Sequence, residues 1–399
     1  MQPFDEKYPF YTPLYMMAKP AGPACNLSCR YCYYLEKSSL PGMSPQCMMG
    51  DEVLERFISS YIAAQSGPCV QFIWHGGEAM MRGIAFYERV MELQRRYAGG
   101  MEVVNSIQTN GTLLSDEWCR FLRRNGWLTG ISIDGPQHVH DAYRYDRCGR
   151  GSFLRTLKGI RMLQRHGVEW NALATVNNLN VKEPEEFYTF FKDLGCRYLQ
   201  FTPIVERRTS SGHLADVAAQ GEVTAESVTP AEWGEFLCAV FDLWVRSDVG
   251  KVFVQLFDAT LANWVGAAPS LCTMGTVCGH AGVMEYNGDV YSCDHFVFPQ
   301  YRLGNVMHDS IVAMMGGEAQ ARFAAMKTGA LPQKCRGCEY LFACNGECPK
   351  NRFGADGLNY LCEGYRRYFG HVAPYMDFMA AELRAGRAPA NVMRLAGKL

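Results

Sequence analysis

The sequence predicts an α/β protein in which six βα units form a partial (β/α)6 barrel, followed by a smaller cysteine-rich domain. Up to about residue 205, short apolar segments alternate with longer amphipathic ones, which is typical of βα units with a parallel sheet. After Cys272 this pattern gives way to closely spaced cysteine, glycine and aromatic residues. A length of 399 residues suits one large domain and a smaller appendage. Periodicity alone leaves a doubly wound sheet open as the alternative.

Strand and helix candidates follow one another in order along the barrel region. The strand candidates are Tyr15–Lys19, Val70–Trp74, Val103–Gln108, Thr129–Ile133, Asn171–Val176 and Tyr198–Thr202. The helical candidates lie near 51–65, 84–97, 115–124, 152–166 and 184–194. Parallel folds place their chemistry in the loops after strand ends. Four polar segments fall in such loops: Cys25–Cys32, His75–Glu78, Asn110–Gly111 and Asp134–Gly135.

The second half of the chain predicts a linker, a helix and a hairpin. Residues 206–229 are rich in Thr, Ser, Ala and Gly, and a helix is expected at about 231–247. Asn287-Gly288 between two apolar segments, Val283–Tyr286 and Val290–Ser292, predicts a tight β-hairpin. We therefore predict a barrel at 1–230, a linker helix region at 231–259, a cysteine-rich domain at 260–370 and a helical tail at 371–399.

Charge and hydropathy exclude several classes of function. The formal net charge is -1, so there is no electrostatic basis for binding nucleic acid or an anionic membrane. No apolar segment approaches the roughly 18 residues needed to span a bilayer. The N-terminal residues lack the basic and apolar regions of a secretory signal. We expect a cytoplasmic protein that does not bind a membrane or nucleic acid.

Cysteine is the compositional outlier, with 17 residues. In a large chain without a secretory signal, such a number indicates metal or redox chemistry rather than disulfides. Three cysteines lie close together near the start, and eight lie between Cys272 and Cys362. The scattered ones are assigned no role, because a lone cysteine is usually a small core residue; they are Cys47, Cys69, Cys119, Cys148, Cys196 and Cys238.

The first cysteine group has the form C-x3-C-x2-C, at Cys25, Cys29 and Cys32. Three thiolates in one loop can hold three irons of a cubane cluster and leave the fourth iron open. A structural zinc site would need a fourth ligand close by, and none is apparent. With an aromatic residue, Tyr31, before the last cysteine, the segment resembles the signature of the radical S-adenosylmethionine superfamily. That resemblance implies a [4Fe-4S] cluster whose open iron binds S-adenosylmethionine and yields a 5′-deoxyadenosyl radical.

Further segments of the barrel resemble the cofactor-binding motifs of this superfamily. Gly76-Gly77-Glu78-Ala79 is similar to its GGEP motif, with Ala79 in place of proline. The glycines there let the backbone approach the cofactor closely. By the same resemblance Tyr31, Gly77, Ser132, Arg144 and Val205 are implied cofactor contacts, and an arginine paired with the cofactor carboxylate is chemically sensible.

The second cysteine group has enough thiols for two fully ligated four-iron clusters. Spacing alone leaves two zinc sites of four cysteines as the alternative. The region resembles the SPASM extension of peptide-modifying radical enzymes, and the chain from Tyr15 to about Cys362 resembles anaerobic sulfatase-maturating enzymes. The resemblance implies two auxiliary clusters, making three [4Fe-4S] clusters in all. One would be held by Cys272, Cys278, Cys293 and Cys348, and the other by Cys335, Cys338, Cys344 and Cys362.

The family resemblance also implies a catalytic base and an activity. Its base is an aspartate directly after the third cysteine of the second group, which is Asp294 here. The implied reaction oxidises the active-site Cys or Ser of a sulfatase to Cα-formylglycine, within a Cys/Ser-x-Pro/Ala-x-Arg segment. Asp294 would deprotonate the thiol or hydroxyl. A flavodoxin or ferredoxin is the expected electron donor, and a monomer is the expected state.

Two other functions remain open from the sequence. A SPASM enzyme could instead form a thioether, a carbon–carbon crosslink or an epimer in a ribosomal precursor peptide. Only about 14 residues precede the first strand, which leaves no room for the N-terminal peptide-recognition domain that such enzymes often carry. The second alternative is not an enzyme but an iron–sulfur electron carrier or a zinc-binding protein. The open three-cysteine site argues against this alternative.

Overall fold

The computed structural model describes residues 14–39, 44, 48–216, 219–278 and 281–395. Its strands are β1 Tyr15–Lys19, β2 Cys69–Trp74, β3 Glu102–Thr109, β4 Leu128–Ser132, β5 Trp170–Val176, β6 Tyr198–Pro203, β7 Arg207–Arg208, β8 Glu222–Val223, β9 Phe253–Val254, β10 Ala281–Glu285, β11 Asp289–Tyr291 and β12 Arg302–Asn305. Its α-helices are α1 Asp51–Ala63, α2 Gly83–Tyr97, α3 Asp116–Arg124, α4 Gln137–Tyr143, α5 Phe153–His166, α6 Pro184–Asp193, α7 Pro230–Ser247, α8 Gln255–Trp264, α9 Ile311–Gly316, α10 Glu318–Gly329, α11 Gln333–Arg336, α12 Leu341–Cys344 and α13 Cys362–Arg384. Cys47 and the last four residues of the predicted tail lie outside the described residues.

The chain divides into two compact units, and each is built from separate segments. The first comprises residues 1–132, 143–170 and 279–324, and the second comprises 133–142, 171–278 and 325–399. The four segments predicted from the sequence stay a proposal.

In the first unit, strands β1 to β4 are neighbours and parallel. Each is followed by helical segments, as the alternating pattern predicts. On its other side β1 pairs in parallel with β10, and β10, β11 and β12 continue as an antiparallel meander. The predicted hairpin therefore forms, and it extends the sheet at the edge of β1. The core beside this sheet is aromatic, with Phe72 and Trp74 of β2 stacked at 5.9 Å and Phe57 of α1 packed edge-on against both.

In the second unit, β5, β6 and β9 are parallel neighbours, and β7 pairs with β8 in a separate antiparallel ribbon. Helix α7 begins with a full capping box, in which the Thr229 hydroxyl accepts from the Glu232 amide and the Glu232 carboxylate accepts from the Thr229 amide. The long helix α13 packs against α7 and begins at Cys362, earlier than the predicted tail. Phe201, Trp233 and Phe236 fill the space between α7 and the sheet.

Candidate active site

The cysteine loop begins just after β1 and is held by backbone hydrogen bonds within the first unit. Amides of Ser28 and Arg30 donate to the carbonyls of Tyr145 and Tyr143 at 2.8 and 3.0 Å. Within the loop, the Cys32 amide donates to the Cys29 carbonyl at 3.1 Å. These contacts fix the path of the loop on both sides of its central cysteine.

The Gly-Gly-Glu loop after β2 packs directly against the start of the cysteine loop. The Glu78 amide donates to the Ala24 carbonyl at 2.8 Å, and Gly77 has a φ of +49°. A Cβ at Gly77 would lie 2.1 Å from the Ala24 carbonyl oxygen. Only glycine therefore fits at this position, because the backbone of Ala24, next to Cys25, lies directly against it.

Glu78 is a buried carboxylate that connects this loop to the end of β3. It accepts hydrogen bonds from the amides of Met80 and Asn110, at 3.0 and 2.8 Å, and from the Thr109 hydroxyl at 2.7 Å. Burial raises the pKa of Glu78, and these hydrogen bonds oppose the shift. Three donors satisfy the buried acid, so its role in the described structure is to hold the loops together.

An amide network faces the sulfur of Cys25. The Asn110 side-chain amide lies 3.9 Å from Cys25 Sγ and donates to Asn26 Oδ1 at 2.9 Å. The Leu27 amide also points at the sulfur, at 3.4 Å. The Asn26 amide donates to the Thr112 hydroxyl, which in turn donates to Asn110 Oδ1. Such donors stabilise a thiolate ligand.

Without a bound metal, burial keeps Cys25 and Cys32 in the protonated thiol form. Burial raises the pKa of Cys25 to about 12, with Glu78 adding to the shift. Burial also raises the pKa of Cys32, against the lowering effect of nearby Arg144 and Lys19. A ligand thiol loses its proton to the metal on binding. The close thiols, the donors at Cys25 and the glycine cradle at Gly77 together fit a cluster with an open position.

The predicted cofactor contacts fall in both units. Tyr31 and Arg144 meet in the first unit, with the guanidinium 5.5 Å from the ring centroid, and Arg144 is buried. Ser132 ends β4, and its hydroxyl accepts from the Gln108 amide at 3.0 Å. Val205 is buried in the second unit, and its carbonyl accepts from Lys350 Nζ at 3.2 Å.

Asp294 lies in a cluster of charged and aromatic side chains in the first unit. Its carboxylate forms an ion pair with Lys19 at the end of β1 and accepts a hydrogen bond from the Tyr33 hydroxyl. The Lys19 side chain is 0% exposed and that of Asp294 is 16% exposed, so water screens this pair little. The His295 ring packs 5.0 Å from that of Tyr33.

Electrostatics keep Asp294 ionised and His75 neutral. Burial alone would raise the pKa of Asp294, but the Lys19 ammonium holds it well below its usual range, and His75 and His295 add to this effect at low pH, where their rings are charged. Burial lowers the pKa of His75 to about 4, and Lys19 adds to the effect. The site thus presents a carboxylate that can accept a proton beside an uncharged imidazole.

A second buried acid, Glu285, lies behind this pair. Glu285 ends β10 opposite Lys19 in the β1–β10 register, and it accepts a hydrogen bond from the Tyr34 hydroxyl. The Lys19 ammonium lies 3.8 Å from the centroid of the Tyr34 ring.

The sequence did not predict that Lys19, Tyr33, Tyr34 and Glu285 belong to this site. A lysine ending the apolar segment Tyr15–Lys19 was the one available signal, because a buried strand seldom ends in a cation without a partner.

Seven of the eight C-terminal cysteines belong to the second unit, and Cys293 belongs to the first. Within the second unit, Cys335, Cys338, Cys344 and Cys362 influence one another electrostatically. Burial raises the pKa of Cys344 to about 12, and Glu347, Cys362 and Cys335 add to it.

Cys272 and Cys278 form a separate pair, in which the nearby Cys272 contributes to the raised pKa of Cys278. Lys327 Nζ donates to the Cys272 carbonyl at 2.6 Å. Across the described residues, no three Cys, His or acidic side chains converge as ligands of one metal ion. None of the described cysteines forms a disulfide.

The described helices include none that is both long and apolar enough to cross a bilayer.

Comparison with known proteins identifies both parts of the chain. Residues 20–191 match the model of the Radical SAM superfamily, and residues 277–339 match the SPASM model of an iron-sulfur cluster-binding domain. A serine-type anaerobic sulfatase-maturating enzyme of Bacteroides thetaiotaomicron is 57% identical over 396 residues, which cover 97% of this chain and 96% of that protein. A cysteine-type anaerobic sulfatase-maturating enzyme of Clostridium perfringens is 30% identical, covering 93% of this chain and 100% of that protein.

Comparison with solved structures leads to the same family as the comparison with these relatives. Native anSMEcpe with bound AdoMet and the Cp18Cys peptide superimposes with a TM-score of 0.83 at 29% identity, covering 93% of this chain and 99% of that chain. Streptococcus suis SuiB bound to precursor peptide SuiA shares the fold alone, with a TM-score of 0.60 at 14% identity over 87% of this chain and 74% of that one. The predicted fold class, a partial barrel followed by a SPASM domain, is confirmed. Since nearly its whole length aligns at 57% identity, the chain belongs to the anaerobic sulfatase-maturating enzymes, within the radical S-adenosylmethionine superfamily.

Proposed function

We propose that this protein oxidises an active-site serine of a sulfatase to Cα-formylglycine, and that it also accepts the cysteine form of the substrate. The single observation that carries the proposal is the position of Asp294, which follows Cys293 and lies against Lys19 and Tyr33 in the unit that holds the cysteine loop. Higher identity to the serine-type relative than to the cysteine-type relative favours serine.

The site residues fit the cofactors that this chemistry needs. Cys25, Cys29 and Cys32 would hold the cluster that binds S-adenosylmethionine, and the cofactor contacts would be Tyr31, Gly77, Ser132, Arg144 and Val205. We assign the auxiliary clusters to Cys272, Cys278, Cys293 and Cys348, and to Cys335, Cys338, Cys344 and Cys362, which gives three [4Fe-4S] clusters. When bound, these groups supply two things. One is a carbon radical, which removes a hydrogen atom, and the other is an acceptor for one electron.

The residues around Asp294 account for the remaining proton. The carboxylate would accept the proton of the substrate hydroxyl or thiol while the Cβ hydrogen is removed. Lys19 and Tyr33 orient both carboxylate oxygens, so the base does not need to rotate before it acts. Loss of one hydrogen atom, one proton and one electron from a serine side chain leaves an aldehyde, which balances the oxidation. From a cysteine side chain the same losses leave a thioaldehyde, which water converts to the aldehyde with release of hydrogen sulfide.

The partners follow from the same chemistry. The substrate would be an extended sulfatase segment of the form Cys/Ser-x-Pro/Ala-x-Arg. A flavodoxin or ferredoxin would deliver the electron that starts each turnover, and the enzyme would act as a monomer. A cytoplasmic location stays a prediction from the sequence.

Mass spectrometry of matched peptides tests the proposal. Sulfatase peptides containing Ser-x-Pro-x-Arg or Cys-x-Pro-x-Arg are incubated anaerobically with the reconstituted enzyme, reductant and S-adenosylmethionine. We expect a loss of about 2 Da from the serine peptide and about 18 Da from the cysteine peptide, together with 5′-deoxyadenosine; these shifts are the mass differences to the aldehyde. Asp294→Asn should lower product formation by about 10²–10⁴-fold, as loss of a general base does.

The matched control is Asp289→Asn in the adjacent hairpin, where the carboxylate pairs with Arg302 and should not affect the reaction. Full product formation by Asp294→Asn would reject this aspartate as the base. If 5′-deoxyadenosine forms while both peptides remain intact, the substrate assignment is wrong, and modification of a ribosomal precursor peptide takes its place.

A further inference from the structure

One surface of the first unit, which the proposed reaction leaves unused, is strongly basic. Although the net charge of the chain is -1, residues 147–168 contain six lysines and arginines and neither aspartate nor glutamate. All six side chains are exposed, and we call them the basic face: Arg147, Arg150, Arg155, Lys158, Arg161 and Arg165. The last four lie on α5 at spacings of three or four residues, which place them along one side of the helix.

Few acids offset the charge of the basic face. Asp146 forms ion pairs with Arg150 and Arg155, and Asp116 at the start of α3 forms one with Arg165. The other three cations form no ion pair with an acid in the part of the chain that the structure describes. Positive charge therefore remains in excess at this surface, where it attracts an acidic partner over a distance.

The basic face begins at the cysteine loop. Leu27 of that loop pairs with Asp146 through an antiparallel bridge, and the Arg147 guanidinium donates to the Cys25 carbonyl at 3.3 Å. The Asp146 carboxylate also accepts from the Arg150 amide at 3.0 Å, which fixes the turn that carries Arg147. A protein docked here would therefore lie next to the backbone of a proposed cluster ligand.

An exposed apolar side chain lies within the basic face. Leu154, in the first turn of α5, is 64% exposed. With Leu114 and Leu157 it lines a groove between the start of α3 and α5, and Lys158 and Arg161 line the same groove. An apolar centre with a polar rim is the usual composition of a protein–protein contact. Electron-transfer partners in particular use small and weak contacts.

We propose that the basic face is the docking surface for a small acidic protein of the flavodoxin class, which carries one electron at low potential. This inference rests on the proposed function, in which one electron starts each turnover. The carrier is oxidised by one electron, and the cluster proposed at Cys25, Cys29 and Cys32 is reduced by one. Complementary charge speeds the encounter and orients the carrier.

Binding of a recombinant bacterial flavodoxin to the reconstituted holoenzyme tests the inference. Lys158→Glu combined with Arg161→Glu should lower the affinity about tenfold at about 0.05 M salt. This difference from the wild type should shrink at about 0.5 M salt, because salt screens exposed charges. Leu154→Ser should weaken binding about threefold at both salt concentrations, since the loss of apolar contact area does not depend on charge.

The matched control makes the same change in net charge on other helices. It combines Arg95→Glu on α2 with Arg246→Glu on α7, both at exposed positions, and it should bind flavodoxin as the wild type does. Iron content and circular dichroism establish that each variant is folded and holds its clusters.

The choice of reductant separates docking from catalysis. With flavodoxin as the limiting electron source, the variant with Lys158 and Arg161 reversed should form 5′-deoxyadenosine about tenfold more slowly than the wild type, in line with its lower affinity. With dithionite in excess the two rates should be equal, because a small reductant does not need a protein docking surface.

Unchanged flavodoxin affinity after reversal of Lys158 and Arg161, or an equal loss in the control, would overturn the inference. So would binding of a DNA duplex or of phosphatidylglycerol vesicles as tight as that of flavodoxin and equally lost in the variant, because the basic face would then bind polyanions in general. An enzyme that cleaves S-adenosylmethionine with flavodoxin but oxidises no sulfatase peptide would instead reject the proposed function. The binding measurements would still decide where the carrier docks.

Discussion

Gly77 is the residue at which the site tolerates least change. Its φ of +49° disfavours any other residue, and a Cβ added there would lie 2.1 Å from the carbonyl oxygen of Ala24 and 2.6 Å from that of Gly22. The two loops are also joined by a hydrogen bond here, in which the Glu78 amide donates to the carbonyl of Ala24, next to the first cysteine of the loop. A side chain here would push the two loops apart.

We predict that Gly77→Ala weakens binding of S-adenosylmethionine at least about tenfold. The added carbon would lie 2.1 Å from the Ala24 carbonyl oxygen. Overpacking of this kind costs about 1–3 kcal/mol. Equilibrium binding to the reconstituted enzyme measures the effect. Gly83→Ala is the control, because Gly83 also has a positive φ, of +72°, but no atom lies within 4 Å of its added carbon. Equal affinities of the two variants would show that the backbone conformation, and not the contact, limits binding.

Local motifs in the sequence predict the cluster ligands and the base, which stay proposals, but they do not predict the residues that contact them. Cys25, Cys29, Cys32 and Asp294 follow from local motifs, which are short and need no knowledge of the fold. Tyr33 and Asp294 are 261 residues apart, so their contact depends on which strands pair. Nothing in the local pattern around Glu285 distinguishes it from an ordinary polar residue at a strand end.

At the scale of the element, helices α7 and α13 pack closely against each other in the second unit. Gly234 and Gly364 face each other, and a Cβ on Gly234 would lie 2.9 Å from the Gly364 Cα. Close approach of this kind requires small residues on both helices. Because α13 starts at Cys362, a predicted cluster ligand, the packing also places that thiol.

Gly364→Ala should destabilise the protein by about 1–3 kcal/mol, since its Cβ would lie 2.3 Å from the Pro230 carbonyl. Gly370→Ala in the same helix should be neutral or stabilising by up to about 1 kcal/mol, because its closest contact would be 3.4 Å and alanine favours helix. Anaerobic thermal unfolding of the two holoproteins compares their Tm values. A lower Tm for Gly370→Ala than for Gly364→Ala would contradict this account of the packing.

Element bounds were predicted well where the apolar pattern was regular. The six barrel strands lie within a residue or two of their predicted positions, since each is a short apolar segment between turn signals. The hairpin at Asn287-Gly288 was predicted too, but its parallel pairing with β1 was not. The turn residues determine how the two strands of a hairpin pair with each other. Which further strand pairs with the hairpin depends on the rest of the sheet.

At the scale of the whole molecule, family membership and fold class were predictable from two cysteine patterns, and the comparisons confirm both. The number of clusters and the division of cysteines between them depend on three-dimensional grouping. In the second unit the electrostatic neighbours of Cys362 are Cys335 and Cys338, which supports their proposed assignment to one cluster.

Iron content tests that assignment. The reconstituted enzyme should hold about twelve irons, the number for three four-iron clusters. Replacing Cys25, Cys29 and Cys32 with alanine should leave about eight and abolish cleavage of S-adenosylmethionine. Replacing Cys335, Cys338 and Cys344 should also leave about eight, while cleavage persists. Loss of all iron from the second variant would show that the clusters do not form independently.

The pairing of β1 with β10 has a consequence for how the protein is made. The first described strand takes its neighbour from residues 281–285, so during synthesis its outer edge is without that partner until most of the polypeptide has left the ribosome. Contacts between distant parts of a chain form slowly, and an unpaired strand edge can pair with other chains. Lys19 and Asp294 come together only at this late step, so the proposed base reaches its position after the cysteine loop has been synthesised.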